Sequence, residues 1–117
     1  MSIYQEIILD HYKNPRNFGS INNPSKKSTA ANPSCGDKIE MDILFENDVV
    51  VDIKYRAVGC AISMASASLL SNYIKGKTKD ELKKLDKDFM IKLLGIDLGP
   101  SRLKCALLSL EALQTLL

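Results

Sequence analysis

Cys35, Cys60 and Cys105 are the side chains of this sequence most able to carry chemistry, as thiolate nucleophiles or as soft metal ligands. Three cysteines cannot all close into disulfides within one chain. The opening MSIYQEIILDHYK carries Glu6 and Asp10 and has no apolar run of the secretory kind. The expected setting is therefore reducing and cytoplasmic, with the cysteines as thiols or ligands. Each stands beside a structural break. Cys35 lies in the turn Pro33-Ser34-Cys35-Gly36-Asp37, Cys60 follows Gly59 where a strand gives way to a helix, and Cys105 falls about one turn inside the last helix. Unpaired N–H groups and the helix dipole lower a thiol's pKa at a helix start, which makes Cys60 the best placed of the three.

A closed zinc site takes four ligands. Three cysteines leave one place, and Asp37 or His11 could fill it. Asp37 lies two residues from Cys35, so one turn could present both. His11, the only histidine, shares a helix side with Ile7 and Ile8 and reads as a structural residue. No C-x-x-C pair is present, so spacing carries these residues only as far as a metal or thiolate site on Cys35, Asp37, Cys60 and Cys105. The plain alternative is packing, because free cysteine is among the most buried residue types. Cys105 is expected on the flank of its helix, about 100° from the centre of the apolar stripe. A Cys–His nucleophile pair would need a partner to orient His11, and glycine-rich phosphate loops are absent.

The elements that must position these residues follow from periodicity. Ile3, Ile7, Ile8 and His11 predict a helix from Ile3 to Tyr12, stopped by Pro15. The segment from Pro15 to Pro33 is long for a connection and is expected to hide an irregular edge strand at Ser28-Thr29-Ala30-Ala31. Ile39, Met41, Ile43 and Phe45 alternate with Glu40, Asp42, Leu44 and Glu46, a half-buried strand with one mostly charged face. A turn at Glu46-Asn47-Asp48 leads to a return strand, Val49 to Val58, with Val51, Ile53, Tyr55 and Ala57 on one face and Asp52, Lys54 and Arg56 on the other. Cys60 to Ile74 reads as a small-residue helix ending at Lys75-Gly76. Thr78 and Glu81 form a capping box for a short helix to Leu85, and Asp86 or Asp88 caps another, Phe89 to Leu94, closed by Gly95. Pro100 opens the last helix, whose stripe is Leu103, Ala106, Leu107, Leu110, Leu113 and Leu117. The expected fold is α+β: a small three-stranded antiparallel sheet with helices packed on one face, as one domain over residues 1–117.

Composition removes several classes of function. With 45% hydrophobic and 26% charged residues, the 117-residue chain is ordinary globular material rather than a disordered one. A net charge of +2 is too small to make nucleic acid or an anionic membrane the main partner. Aromatics at 6%, with no Trp, leave no stacking platform for bases. The uncharged stretch from Ala57 to Ile74 is diluted by Gly59, Ser63, Ser66, Ser68, Ser71 and Asn72, and reads as a buried helix rather than a membrane span.

Several ordered motifs resemble the IscU/SufU/NifU N-terminal family of iron–sulfur cluster scaffold proteins. They are Asp10-His11-Tyr12-Lys13-Asn14-Pro15-Arg16-Asn17, Cys35-Gly36-Asp37, Gly59-Cys60-Ala61 with Ala65-Ser66 and Ser68, Lys75-Gly76-Lys77-Thr78, and Leu103-Lys104-Cys105. The resemblance runs from Tyr4 to Leu116. It implies that Cys35, Asp37, Cys60 and Cys105 surround one site, which holds a transient [2Fe–2S] cluster, or Zn²⁺ in the isolated protein. It also implies sulfur delivery from a pyridoxal-phosphate-dependent cysteine desulfurase and onward transfer to apo iron–sulfur proteins or carriers. Two features divide the family. IscU-type members carry His before the third cysteine, where this chain has Lys104, and an ammonium cannot coordinate a cation. Lysine there resembles SufU-type members, which resemble zinc-dependent sulfurtransferases with Cys105 as the acceptor. Yet the SufU-type insertion between the second and third cysteines is missing, since only 44 residues separate Cys60 from Cys105. Three expectations follow: a scaffold, a sulfurtransferase, or a small structural zinc domain without sulfur chemistry.

Overall fold

The structure, a computed structural model, describes residues 2–33 and 36–117. The turn expected at Cys35 lies outside the described residues. Helix α1 (Ile3–Lys13) is followed by strands β1 (Lys26–Asn32), β2 (Asp37–Glu46) and β3 (Val49–Val58). Helices α2 (Ala61–Ile74), α3 (Lys79–Lys83), α4 (Lys87–Leu94) and α5 (Pro100–Thr115) complete the chain. The strands form one antiparallel sheet in the order β1-β2-β3. This is the expected α+β architecture, with α2 and α5 against one face.

The local signals act as the sequence requires. Asn47 and Asp48 both take left-handed φ, 52° and 63°, which gives the two-residue β2–β3 turn its twist. Ser2 and Gln5 form a capping box on α1, and the Thr78 and Asp86 side chains accept from Glu81 and Phe89 N–H at the starts of α3 and α4. Gly95 ends α4 at φ 71°, and the Tyr4 ring stands where its Cβ would be. Met41, Ile43, Ile53, Tyr55, Leu70, Leu82, Met90 and Leu113, all with no exposed surface, form the core between sheet and helices.

Four expectations are corrected. The edge strand is regular and longer than Ser28–Ala31. It pairs with β2 from Lys26↔Ile43 to Asn32↔Asp37, and Ser28 turns inward to donate to the Ala112 carbonyl at 2.8 Å. The inward set on β3 changes at its start. Leu44 pairs with Asp52 but Phe45 with Val50, so a bulge sends Val50 into the core and leaves Val51 exposed. Asp42, expected on a solvated face, is fully buried. The segment 17–21 crosses that face. Tyr55 N–H donates to Asn17 O, Gly19 N–H to Tyr55 O, and Ile21 N–H to the Asp42 carboxylate. Finally, Cys105 is buried. Helix α5 is packed on two sides, so a second row (Cys105, Leu108, Ala112 and Leu116) is enclosed, while Leu103, Leu107 and Leu117 are only partly so.

His11 has the structural role read from its helix side: its Nδ1 lies 2.7 Å from Ser68 Oγ on α2. Burial first, and then the Arg16 charge, hold its pKa below 6.5, against a small opposing pull from Asp10. The folded chain therefore binds fewer protons at this site than the unfolded chain. Stability associated with neutral His11 is present above about pH 6.5 and is lost as pH falls from there through the lower folded pKa. Urea melts at pH 7 and pH 5.5 should show that loss, and a His11→Gln variant should show less of it. Equal losses in both proteins would refute the assignment.

Candidate metal centre

Three elements carry the site residues to one end of the sheet. Asp37 is the first residue of β2 and is buried. Cys60 is the N-cap of α2 and is exposed, its sulfur accepting the Ser63 N–H at 3.5 Å. Cys105 lies in the second turn of α5 and is 8% exposed. One carboxylate oxygen of Asp37 and the two sulfurs all lie within 4.8 Å of one another. Cys35, two residues before Asp37, lies outside the described residues. Among those described, His11 does not join the group; it stays with Ser68.

Among the described residues, Ser63 and Gly59 both press closely on Asp37. Ser63 Oγ donates to Asp37 Oδ2 at 2.5 Å and lies 3.3 Å from the Cys105 carbonyl oxygen and 3.6 Å from Cys60 Sγ. A Cβ at Gly59 would stand 2.7 Å from Asp37 Cγ and 2.9 Å from its Oδ1. From the sequence, Ser63 is only one of the residues that dilute the uncharged stretch of a small-residue helix. The overlooked signal was a hydroxyl three residues after a cysteine at a helix start, the place where capping groups meet. The other buried serines also make specific contacts. Ser68 holds His11 and accepts the Arg16 N–H, and Ser71 accepts from the Asn17 side chain.

The donor set fits a soft or borderline cation. Burial, then the nearby Cys60 and Asp37, push the Cys105 thiol up to about 12, with a hydrogen bond from Ser63 opposing. Two sulfurs and a carboxylate so close together cannot all ionise unless a cation balances them. Thiolate and carboxylate ligands are those used by zinc and by iron in sulfur-rich sites. A groove of about 440 Å³, lined by Cys60, Ala61, Ile62, Ser101, Arg102 and Cys105, leads to the sulfurs from outside. Lys104 is exposed and borders a separate cavity with Asn32, Pro33 and Glu111, on the β1 side of α5.

Residues 3–117 match the family model described as the NifU-like N terminal domain. The chain belongs to this NifU-like family. It is 40% identical to the zinc-dependent sulfurtransferase SufU of Bacillus subtilis, over 97% of this chain and 88% of that protein. It is 34% identical to the iron–sulfur cluster assembly scaffold protein IscU 1 of Archaeoglobus fulgidus, over 96% and 72%. Among solved structures, SufU of Fervidobacterium islandicum, described as a candidate iron–sulfur cluster assembly scaffold of the SUF system, superposes with a TM-score of 0.81. That pair is 33% identical, over 94% of this chain and 93% of the other. The alignment with B. subtilis SufU runs over 130 positions against a chain of 117, so at least 13 positions of that relative have no counterpart here. This NifU-like chain is thus similar both to a named sulfurtransferase, at 40% identity, and to a named scaffold, at 34%, and is shorter than either. Among the described residues no helix is long and apolar enough to cross a membrane.

The close approach at Gly59 gives a direct test of the site. Its backbone needs no left-handed conformation, and the nearest atoms an Ala Cβ there would meet are those of the Asp37 side chain. Gly59→Ala should weaken zinc binding by about tenfold to a hundredfold, as displaced metal-site geometry does. The melting temperature of the metal-free chain should stay close to wild type, because Ala also lowers the entropy of the unfolded state. Chelator competition and thermal melts measure the two, and wild-type zinc affinity in the variant would contradict the packing argument.

Proposed function

We propose that this chain is an iron–sulfur cluster assembly scaffold acting in the cytoplasm as one domain over residues 1–117. It receives sulfur from a pyridoxal-phosphate-dependent cysteine desulfurase and builds a transient [2Fe–2S] cluster on Cys35, Asp37, Cys60 and Cys105. It then passes the cluster to apo iron–sulfur proteins or carriers. The observation that carries this reading is the convergence of Asp37, Cys60 and Cys105 ligand atoms within 4.8 Å, with Cys60 exposed. A cluster held there is cargo at a surface. A hard carboxylate among soft thiolates suits a ligand set that must later let go. Persulfide sulfur needs two electrons to become bridging sulfide, and an external thiol or electron-transfer protein supplies them.

Lys104 and the 40% identity to B. subtilis SufU favour a second reading, a zinc-dependent sulfurtransferase. Zinc on the same residues would keep the thiols ionised. Cys105 would then attack the outer sulfur of the desulfurase persulfide. One S–S bond forms as another breaks, the desulfurase thiolate leaves, and no net electrons are consumed.

Anaerobic reconstitution separates the two readings. The purified chain is mixed with Fe²⁺, cysteine and a cysteine desulfurase, while visible absorption and iron, sulfide and zinc contents are followed. A [2Fe–2S] spectrum with iron and sulfide in equal amounts is expected. No cluster, one tightly held zinc and faster desulfurase turnover would replace the scaffold with the sulfurtransferase. Neither metal nor cluster would sink both.

A further inference from the structure

The Ser63 side chain touches every described member of the metal group, yet it is not itself among the ligating residues. It is 6% exposed, and its hydroxyl has one proton to give. Asp37 Oδ2 at 2.5 Å is the near acceptor, and the Cys105 carbonyl at 3.3 Å is a second, in a different element. The backbone N–H of the same residue caps onto Cys60 Sγ. One residue on α2 therefore links the start of β2, the N-cap of α2 and the second turn of α5.

A buried hydroxyl left without an acceptor is penalised. Here that penalty is avoided in two arrangements. With Asp37 in place the proton goes to the carboxylate. With Asp37 swung away, the same hydroxyl can turn to the Cys105 carbonyl without leaving α2. We propose that Ser63 is a positioning residue that orients Asp37 for metal binding and, through this second acceptor, makes Asp37 a ligand that can be released. The inference deepens the proposed function and rests on its metal site. Partners of metal ligands act in this way elsewhere, fixing the ligand's orientation without touching the ion.

The test uses the full chain and zinc alone, with competition against a chelator and, in parallel, the visible spectrum of the Co²⁺-substituted protein. Ser63→Ala should weaken zinc by about tenfold to a hundredfold and alter the Co²⁺ bands. Ser63→Thr, which keeps the hydroxyl, should restore most of the affinity. In an Asp37→Ala background, where no carboxylate is left to orient, Ser63→Ala should change zinc affinity by less than about twofold. A structural role would instead carry over in full, and that result would overturn the proposal, as would wild-type affinity in Ser63→Ala. Failure of the wild-type chain to hold zinc or Co²⁺ at all would remove the metal site and the inference with it. A wild type that binds beside an unaffected Ser63→Ala would remove the inference alone. Thermal melts of the metal-free variants check that each is folded.

Discussion

Changing Cys60 to Ser should lower zinc affinity by about 100- to 1000-fold and abolish stable cluster retention, while leaving the metal-free fold intact. Structural zinc sites contribute about 10–16 kcal/mol, so one of four ligands accounts for roughly 3 kcal/mol or a little more. The fold should survive because of what else Cys60 does. Its sulfur is the N-cap acceptor for the Ser63 N–H at the start of α2. Serine is among the best N-cap residues, and a hydroxyl accepts that N–H better than a thiol. Melting of the metal-free variant should therefore match or exceed wild type, while chelator competition shows the loss of metal. Zinc held within about tenfold of wild type would mean that Cys60 is a cap and not a ligand.

That double role was half legible in the sequence. Gly59 followed by Cys60 marked a strand-to-helix junction; thiol chemistry and neighbouring breaks singled out Cys35, Cys60 and Cys105, and the open fourth place of a metal site brought in Asp37 beside His11. The β2–β3 hairpin was legible too, because alternation in Ile39, Met41 and Ile43 and a turn at Asn47-Asp48 are local properties. What escaped depended on layers that arrive from elsewhere in the chain. A period of two tells which residues share a face, but not whether a loop will later cover it. Asp42 therefore looked solvated until segment 17–21 was laid over it. The burial of Cys105 has the same cause. A helix packed on two sides hides residues that one stripe assigns to its flank. The bulge at Val51 could not be read from a run of three valines, since a valine stands at every position whichever one turns inward. Ser63 was hidden by its own plainness, as a small residue in a small-residue helix.

The covered face of the sheet makes the other large prediction. Arg56→Ala should destabilise the metal-free chain by about 3 kcal/mol, near the lower end for breaking a buried ion pair. The Asp42 side chain is 1% exposed, and Arg56 grips it with two nitrogens, Nη1 to Oδ2 and Nη2 to Oδ1, each at 3.1 Å. The same guanidinium donates to the Gly19 carbonyl and Ser20, which fastens the covering segment, and to Glu40. Without it a carboxylate is left in the interior, with the Ile21 N–H donating to it at 3.1 Å. The 31% exposure of the Arg56 side chain lets water replace part of the loss, which sets the lower end of the range. For a chain of this length the melting temperature should fall by roughly 10 °C. The pH dependence has a definite sign. Burial raises the Asp42 pKa, but the Arg56 hydrogen bonds, the Ile21 N–H and the charges of Arg56 and Lys27 outweigh it and bring it below 3.8. In the wild type this stability is present above about pH 3.8 and is lost as pH falls through the lower folded value. In Arg56→Ala the uncompensated carboxylate takes up a proton at higher pH, so the deficit is largest near neutrality and narrows in acid. Replacing both partners, Asp42→Leu with Arg56→Met, should recover much of the loss, because no buried charge is left unpaired. A neutral-pH melt of Arg56→Ala within about 0.5 kcal/mol of wild type would show that segment 17–21 covers the face without the ion pair.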